Sequence, residues 1–553
     1  MSQLEQKARD DFRVFLSLMW QYHRLDEKAA LGDLEFDIAG FLQNGPRYRG
    51  IIGFRELGKT VITCCYCAWR IYRDPAIQIL LVSKSTGHAK RALHLVRNWI
   101  YTTPWLSHLV PSKDENERSG ALCFDVAGNR ANVPTMSACG IEGQLTGGRA
   151  HVVIGDDVET QENSRSQLQR AGLKDRLDEL FNVSYKNIGE VIYLGTPWSE
   201  ETVYEHLHYQ KGFEFRSWPI VTPHPTEECL NVAPFVRKLA QQHGPDYPTA
   251  PHRFGPDTLV EIQAHTARST FLKQYKLLRR LADSDRHPLK LRDLIVFTPA
   301  PDRAPNSIAW GTMGPRGSTA ITDIESVGYG TDCLYAPIFW DETWATYNAI
   351  KMYIDPAGGT GRDEVAWAVG AELNGYVFIL RVGAYSGPND SRNLKRIVDD
   401  AEYFRVNDIY IEKNYGGDMM AQLLSPLLRA RFTDNWGCVV SPITNSGQKE
   451  ARIIDAMELP MQQHRVVVAH QVAQDATLMT QLVSITRERN CLEHEDRLES
   501  VAGLVSQFAE HLSQDPEQAS IRTEQIMYEQ AIADFDRLGA PNKPARSRRW
   551  MRT

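Results

Sequence analysis

Short runs of apolar residues alternate with longer amphipathic stretches between residues 46 and 220. The amphipathic stretches are typical of helices, and the apolar runs are typical of strands that are buried on both faces. Strands that alternate with helices in this way predict a parallel sheet with helices on both sides. Residues 46–220 are therefore predicted to form one domain, and residues 1–45, which precede it, are predicted to be helical. The strand candidates are residues 48–54, 77–83, 151–154 and 191–194.

The pattern changes in the second half of the chain. Residues 221–345 are richer in proline, histidine and charged residues, and we predict a connecting region there with one helix at 256–281. Beyond it, two apolar runs flank Asn374 and Gly375, a pair that tolerates the left-handed backbone angles of a tight hairpin turn. This antiparallel pattern predicts a second α/β domain over residues 346–512.

The end of the chain, residues 513–553, is predicted to form a separate tail. The tail is charged and prone to form a helix as far as Gly539. Residues 541–553 carry lysine and arginine side chains and no acid. Such a basic segment is either a solvated tail or a peptide that docks on DNA or on a protein partner.

Length and composition narrow the possible classes of protein. A chain of 553 residues exceeds the usual size of one domain, so we expect about two to four packed units. The net charge of −7 argues against passive coating of nucleic acid by a basic surface, but it allows local basic grooves. The nine scattered cysteines are typical of reduced thiols. No run approaches the roughly 18 apolar residues that span a bilayer, so we expect no membrane partner and a location in the cytoplasm.

The segment GFRELGKT, residues 53–60, fits the phosphate-loop pattern, with a predicted strand before it and an apolar helix after it. Its glycines allow backbone N–H groups to surround phosphate oxygens, and Lys59 offers a cation to the β and γ phosphates of ATP. The Thr60 hydroxyl would bind Mg²⁺. The loop residues that we expect to contact ATP are Gly53, Arg55, Glu56, Leu57, Gly58, Lys59 and Thr60.

Acidic residues follow the predicted strand at 151–154. Ligand groups in parallel-sheet enzymes lie at the carboxyl ends of the strands, so Asp156 is placed to hold Mg²⁺ through water. Either Asp157 or Glu159 would then orient the water that attacks ATP. Together with the phosphate loop, these acids predict an ATPase.

A short turn, Gly195, Thr196 and Pro197, ends the next predicted strand. Its threonine hydroxyl could sense the γ phosphate of ATP. Taken alone, this segment predicts only a turn.

Three acids in the second domain lie in distant segments of the sequence. Asp355 ends a short apolar strand, Glu412 ends another, and residues 494–499 open an apolar helix with Glu495, Asp496 and Glu499. Converging carboxylates repel one another unless cations neutralise them, and hard Mg²⁺ or Mn²⁺ suits oxygen ligands. Two such ions about 4 Å apart can cleave a phosphodiester bond. Along the chain, an acid at the end of a strand is followed by a hairpin, by a second strand that ends in an acid, and by a helix that begins with acids. This order predicts an RNase H-like nuclease, although each acid alone could be a solvated loop residue or a helix cap.

With these motifs, residues 38–510 resemble the large terminase subunit of tailed phages, in particular the DNA maturase B branch of short-tailed podophages. The fold class implied is α/β, with an ASCE-type P-loop NTPase domain on a parallel sheet followed by an RNase H-like nuclease domain. The segments that carry the resemblance are residues 54–60, 143–150, 156–159, 193–197, 354–356, 373–376 and 494–499.

The resemblance implies further roles for particular residues. Arg55 would act near the γ phosphate, and the turn at 195–197 would couple hydrolysis to domain movement. Asp355, Glu412 and Asp496 would be the nuclease metal ligands, with Glu495 and Glu499 as alternatives for the third position and Asp363 as a fourth contributor. Related chains commonly have glutamate where this one has Asp157, so Glu159 stays a rival for the water-orienting role.

The resemblance also implies a role in packaging viral DNA and a set of partners. ATP hydrolysis would drive double-stranded DNA into a procapsid, and the nuclease would cut concatemeric DNA at the start and end of filling. The partners implied are a small terminase subunit and the portal protein, with this chain forming a homo-oligomeric ring docked at the portal in the host cytoplasm and absent from the mature virion. Arg149 is a candidate for completing a neighbour's ATP site. The rival interpretations are a helicase-nuclease of DNA repair or recombination, and a non-catalytic DNA-binding scaffold.

Overall fold

The computed structural model describes the chain except for short segments, and it divides the chain into two units, Met1–Ala282 and Asp283–Thr553. The predicted basic end at 541–553 and the candidate metal ligand Asp363 lie outside the described residues. No described helix has the length and apolar character needed to cross a membrane. The residues left undescribed are 1–2, 26–29, 113–117, 130, 144–148, 165–166, 199–201, 280–285, 316, 357–363, 414–416, 493 and 540–553.

A single sheet of seven strands lies at the centre of the first unit. Its strands are β1 (Tyr48–Gly53), β2 (Ile79–Ser83), β3 (Cys123–Phe124), β4 (Met136–Gly140), β5 (Val152–Asp156), β6 (Glu190–Gly195) and β7 (Glu214–Trp218). Their order is β3-β4-β2-β5-β6-β1-β7, and every neighbouring pair is parallel except β3 and β4. The inner strands β2, β4 and β5 are buried along their whole length, because helices cover the sheet.

The helices of the first unit connect these strands. The amino-terminal helices belong to the same core, because the buried Phe12 ring packs against the rings of Tyr66 and Trp69, with centroids 5.3 Å apart in each pair. The helices are Gln3–Asp10, Phe12–Tyr22, Asp33–Asn44, Lys59–Arg73, Thr86–Thr102, Gln161–Ser164, Gln167–Val183, Val203–Lys211, Pro234–His243, Pro256–His265 and Arg268–Gln274, with a 3-10 helix at Pro104–Leu109.

The parallel sheet predicted from the alternating pattern is confirmed, and the four apolar runs coincide with β1, β2, β5 and β6. The single helix predicted at 256–281 is wrong. Thr266 (φ −123°, ψ 129°) and Ala267 (φ −53°, ψ 136°) have extended backbones, which separate two shorter helices. Neither residue is glycine or proline, so the sequence carries no local signal for the break.

The second unit is built on a mixed sheet of seven strands. The strands of this unit are β8 (Ile295–Val296), β9 (Arg303–Pro305), β10 (Ile308–Ala309), β11 (Met313–Gly314), β12 (Gly317–Ser318), β13 (Phe339–Trp340), β14 (Trp344–Thr346), β15 (Ala349–Asp355), β16 (Glu364–Leu373), β17 (Tyr376–Ser386), β18 (Asp408–Glu412), β19 (Val439–Ile443) and β20 (Val466–Val468). The large sheet has the order β19-β18-β15-β16-β17-β20-β8. Strands β15, β16 and β17 are antiparallel to one another in turn, and the outer pairs are parallel.

The predicted hairpin between β16 and β17 is confirmed, with Asn374 at φ 52° and Gly375 at φ 77° in its turn. The predicted tail helix is also confirmed, because it runs over Pro516–Gly539. The helices of this unit are Ser391–Tyr403, Gly417–Arg429, Lys449–Gln462, His470–Ala473, Ala476–Ser484, Asp496–Ser506, Ala509–Leu512 and Pro516–Gly539, with a 3-10 helix at Leu291–Asp293.

The stretch predicted as a connecting region, residues 221–345, is divided between the two units. Its first part packs into the core of the first unit through buried residues such as Leu230 and Phe254. Its last part supplies β8, which pairs with β20 in the large sheet of the second unit. The described residues of this stretch therefore contribute to two folded cores.

Candidate active sites

The phosphate-loop segment lies at the carboxyl end of β1, between the ends of β6 and β7. The helix Lys59–Arg73 starts directly after the loop, and Gly58 precedes it with a left-handed φ of 91°. Only glycine adopts this conformation without strain. The strand, loop and helix therefore have the connection that places a helix amino terminus beside a bound anion.

The Lys59 ammonium group lies inside this loop. Its Nζ donates to the carbonyl oxygens of Gly53 and Phe54, both at 3.1 Å, and to Thr196 Oγ1 at 2.8 Å. Burial lowers the pKa of Lys59, and the charges of Asp157 and Asp156 oppose that shift. Lys59 is thus held between the loop and the end of β6, where the turn Gly195, Thr196 and Pro197 begins.

The Thr60 side chain, near the start of the helix Lys59–Arg73, contacts the Asp156 carboxylate at the end of β5. Thr60 Oγ1 donates to Asp156 Oδ2 at 2.8 Å, and the other carboxylate oxygen, Oδ1, is buried without a hydrogen-bond partner among the described residues. Burial, followed by the charge of Asp157, raises the pKa of Asp156 to about 7. An unsatisfied buried carboxylate oxygen beside a threonine hydroxyl is a donor set that fits a hard divalent cation.

Asp157 and Glu159, the two candidates for the acid that orients the attacking water, have different surroundings. Glu159 is buried, and its carboxylate accepts hydrogen bonds from Trp198 N at 2.9 Å, Thr202 Oγ1 at 2.6 Å and Val203 N at 2.9 Å. These bonds attach Glu159 to the start of the helix Val203–Lys211. Asp157 is partly exposed with φ 48°, and its charge acts on both Lys59 and Asp156. The geometry therefore favours Asp157 over Glu159 as the acid that can reach a substrate.

Arg55 and Glu56 form the exposed tip of the loop. Arg55 Nη1 lies 3.4 Å from Gln274 Oε1, and Glu56 Oε1 accepts a hydrogen bond of 3.1 Å from the Tyr275 hydroxyl. Both side chains therefore contact the end of the helix Arg268–Gln274, Arg55 at its last residue and Glu56 at the residue that follows it.

Three carboxylates converge in the second unit. Asp355 and Glu412 end the neighbouring parallel strands β15 and β18, and Glu499 lies in the first turn of the helix Asp496–Ser506. Each of the three is buried and offers one oxygen, and these oxygens all lie within 4.8 Å of one another. Burial, with the charge of Glu412 among the further causes, raises the pKa of Asp355 to about 8. A set of buried carboxylates fits binding of divalent cations, because the cations neutralise the mutual repulsion.

The other predicted acids surround this set. Asp496 Oδ2 accepts a hydrogen bond of 3.0 Å from Glu364 N, and its charge contributes to the raised pKa of Asp355. Glu495 forms an ion pair of 2.8 Å with Lys449. Asp496 and Glu495 therefore lie beside the convergent oxygens but are not among the three.

Two basic side chains of the helix Lys449–Gln462 contact the acids. Lys449 pairs with Glu499 as well as with Glu495, and Arg452 pairs with Glu499 and, at 3.5 Å, with Glu412 Oε1. Two positive charges thus balance part of the negative charge of the cluster.

A curated relative spans most of the chain. The large terminase subunit of Enterobacteria phage T3 is 31% identical over 522 residues, which cover 89% of this chain and 86% of the relative. The chain belongs to the terminase large subunit family. Residues 354–466 also match the family described as the terminase of bacteriophage T7, ribonuclease H-like domain.

Solved large terminases align with most of the chain, at low sequence identity and low TM-scores. The large terminase of a thermophilic bacteriophage in complex with ADP has a TM-score of 0.41 and 8% identity, over 87% of this chain and 100% of that chain. The large terminase of HK97 bacteriophage has a TM-score of 0.32 and 11% identity, over 86% of this chain and 94% of that chain.

The predicted fold of this terminase, an ATPase domain before an RNase H-like nuclease domain, is confirmed. As a terminase large subunit it is an enzyme that uses ATP and cuts DNA, so the helicase-nuclease and scaffold interpretations are set aside. The roles of individual residues stay predictions. Arg149 lies exposed before β5, next to the undescribed residues 144–148.

Sequence reasoning missed three basic residues of the terminase that contact its candidate sites. They are Lys449 and Arg452 at the nuclease acids, and Arg253, whose guanidinium contacts the outside of the phosphate loop. None belongs to a motif, and each contacts residues far away in the sequence. Glu499 differs from these three, because the sequence places it in the same helix as Asp496 and predicts it as an alternative third ligand.

Proposed function

We propose that the phosphate loop of this terminase binds ATP and that hydrolysis there drives translocation of double-stranded DNA. Lys59 would contact the β and γ phosphates, and Arg55, at the loop tip, would reach the γ phosphate. The hydroxyl of Thr60 and the carboxylate of Asp156 would hold Mg²⁺. The observation that carries this proposal is the unpartnered Asp156 Oδ1 beside the 2.8 Å contact between Asp156 and Thr60.

Asp157 would orient the attacking water, because the carboxylate of the rival Glu159 already accepts hydrogen bonds at the start of a helix. Lys59 and Thr196 share a hydrogen bond of 2.8 Å, so a γ phosphate that draws the ammonium group away would release the turn at 195–197. This exchange of partners would couple nucleotide state to movement of β6 and the chain that follows it.

The second site would cut DNA with two Mg²⁺ ions, for which Mn²⁺ can substitute. Asp355, Glu412 and either Glu499 or Asp496 would hold the ions, which supply a Lewis acid for the scissile phosphate and an activated water. Lys449 and Arg452 would then exchange their carboxylate partners for the phosphate backbone of DNA. Burial of the three acids would hold their spacing before the metal binds.

The family also supports a set of partners for this chain. We propose that it works as a homo-oligomeric ring on the portal protein of the procapsid, with a small terminase subunit that delivers concatemeric DNA. Its place would be the host cytoplasm, with transient docking at the portal and absence from the mature virion.

Packaging of DNA into empty procapsids tests the whole proposal. The full-length chain is compared with the variants Lys59→Ala and Asp355→Ala, and ATP turnover, packaging and metal-dependent cleavage are measured on the same samples. We expect Lys59→Ala to abolish ATP turnover and packaging while cleavage continues, and Asp355→Ala to do the reverse. Strand unwinding without packaging would reject a packaging motor, and loss of both activities in either variant would reject two separate sites.

A further inference from the structure

A phosphate loop binds its ligand only when its backbone N–H groups point toward the phosphates. In a planar trans peptide, the N–H and the C=O point in opposite directions. A group that holds the carbonyl oxygens of such a loop from outside therefore also directs the neighbouring N–H groups inward. The described residues contain a group of this kind.

Arg253 binds two successive carbonyl oxygens of the loop. Its Nη2 donates to Glu56 O at 2.9 Å, and its Nη1 donates to Leu57 O at 3.0 Å. The two peptide units held in this way carry the N–H groups of Leu57 and Gly58, and the Leu57 N–H makes a long hydrogen bond of 3.4 Å across the loop to Phe54 O. Glu56 has a φ of 71°, which is unfavourable for a residue with a side chain, so the loop needs an outside partner to keep this shape.

We propose that Arg253 is a positioning residue for nucleotide binding, which fixes the phosphate loop from outside in the conformation that receives a polyphosphate. The inference rests on the proposed ATP site at residues 53–60. Arg253 acts through the backbone and does not itself touch the nucleotide. It lies 196 residues after Leu57, in the stretch that the sequence pattern presents as a connection between domains.

A buried carboxylate fixes Arg253 in place. Glu35 Oε1 accepts from Arg253 Nη1 at 2.9 Å, and the side chain of Glu35 is 1% exposed. The second oxygen of Glu35 accepts from Gly32 N at 2.9 Å and so caps the helix Asp33–Asn44. The guanidinium is therefore tied to a rigid helix end, and its planar fork spreads two carbonyls and a carboxylate over two nitrogen atoms, whereas a lysine would have to bind all three at a single nitrogen.

A second segment supports the same side of the loop. Gln274 O accepts a hydrogen bond of 3.0 Å from Arg55 N, and the Tyr275 hydroxyl donates to Glu56 Oε1 at 3.1 Å. The Phe54 ring also meets the Phe254 ring edge to face, with centroids 5.0 Å apart. The outside of the phosphate loop is thus held by residues 253–254 and 274–275, and Arg253 supplies the bonds to its backbone carbonyls.

The test measures steady-state ATP turnover and the binding of ADP by the full-length chain. The variants are Arg253→Met, which keeps the length of the side chain without its donors, and Arg253→Lys, which keeps one charged donor group. Arg237→Met is the matched control, because Arg237 lies on an exposed helix of the same unit and its side chain donates to Asn231 at 3.0 Å. Thermal unfolding is followed in each sample.

We expect Arg253→Met to raise KM for ATP and Kd for ADP about tenfold, with kcat within threefold of the parent, because the chemical groups Lys59, Asp156 and Asp157 are untouched. Arg253→Lys should give an intermediate rise, and Arg237→Met should give none. If Arg253→Met does not fold, Arg253→Lys decides the question.

An unchanged KM for ATP in a folded Arg253 variant would overturn the inference, whether or not kcat falls. Lys59→Ala is assayed beside them. Continued ATP turnover in Lys59→Ala would reject the ATP site itself. If Lys59→Ala loses ATP turnover but the Arg253 variants bind nucleotide normally, only the role of Arg253 is rejected.

Discussion

The Thr196 hydroxyl oxygen lies 2.8 Å from Lys59 Nζ and 2.9 Å from the carbonyl oxygen of Gly53. One side chain at the end of β6 thus contacts both the cation and the first residue of the phosphate loop. The hydroxyl accepts from the ammonium group and donates to the carbonyl, so removal of this one group leaves a buried donor and a buried acceptor without that partner.

Thr196→Val keeps the shape of the side chain and removes its hydroxyl. We expect it to lower the free energy of unfolding of the first unit by about 1–3 kcal/mol, as loss of a buried hydrogen bond to a charged group does. We also expect slower ATP turnover than in the parent and less DNA packaged for each ATP consumed. Thr196→Ser, which keeps the hydroxyl, serves as the control. A valine variant with the parent's ratio of DNA packaged to ATP hydrolysed would show that Thr196 has no part in coupling.

Substitution of Asp157 and of Glu159 should affect different properties of the protein. Asp157→Asn is expected to reduce kcat for ATP at least a hundredfold, in the range that general base catalysis supplies, with little change in stability because asparagine tolerates a positive φ. Glu159→Gln should instead lower the free energy of unfolding by about 2 kcal/mol, since its carboxylate accepts three hydrogen bonds. Chemical denaturation and steady-state turnover are measured on both variants. A stable but inactive Glu159→Gln would reverse the two roles.

The third ligand of the nuclease site is tested by two conservative substitutions in one helix. Glu499 belongs to the set of oxygens within 4.8 Å of one another, and Asp496 does not. We therefore expect Glu499→Gln to raise the Mn²⁺ concentration for half-maximal DNA cleavage at least tenfold, and Asp496→Asn to raise it less. Cleavage is measured over a titration of Mn²⁺, with Asp355→Asn as the inactive reference. A larger effect of Asp496→Asn would mean that the helix acids exchange places when metal binds.

The sequence predicted those parts of the fold and site that depend on local pattern. Gly58 and Lys59 follow a strand and begin a helix, and Asp156 follows an apolar run, so parallel strand ends alone bring them to one edge of the sheet. The fork of Arg253 could not be predicted, because its partners on the loop are backbone carbonyls that carry no sequence signal and its third partner, Glu35, is far away in the sequence. Asp496 and Glu499 lie three residues apart on one helical face, so only the packing of that helix decides which is nearer to Asp355.

Glu190 offers a prediction on pH and stability away from both sites. Its carboxylate pairs with the buried Arg49 at 2.9 Å and with Arg70 at 2.8 Å. Burial alone would raise the pKa of Glu190, but the two arginines outweigh it and lower that pKa below its usual value. A carboxyl with a lowered pKa in the folded state adds stability above its unfolded pKa, and that stability is lost as the pH falls through the folded pKa.

Glu190→Gln should therefore lower the free energy of unfolding by about 3 kcal/mol at pH 7, because it leaves the Arg49 guanidinium buried without its ion pair. The difference from the parent should begin to shrink as the pH falls below about 4.5, the ordinary glutamate pKa, where the unfolded chain takes up a proton at Glu190, and it should go on shrinking until the pH passes the lowered pKa of the folded protein. Urea denaturation at pH 7 and at about pH 3 measures both values. Glu214→Gln is the matched control, since Glu214 is more exposed and pairs with Arg216 on the surface of β7. An equal loss at both pH values would assign the effect to packing of the side chain and not to its charge.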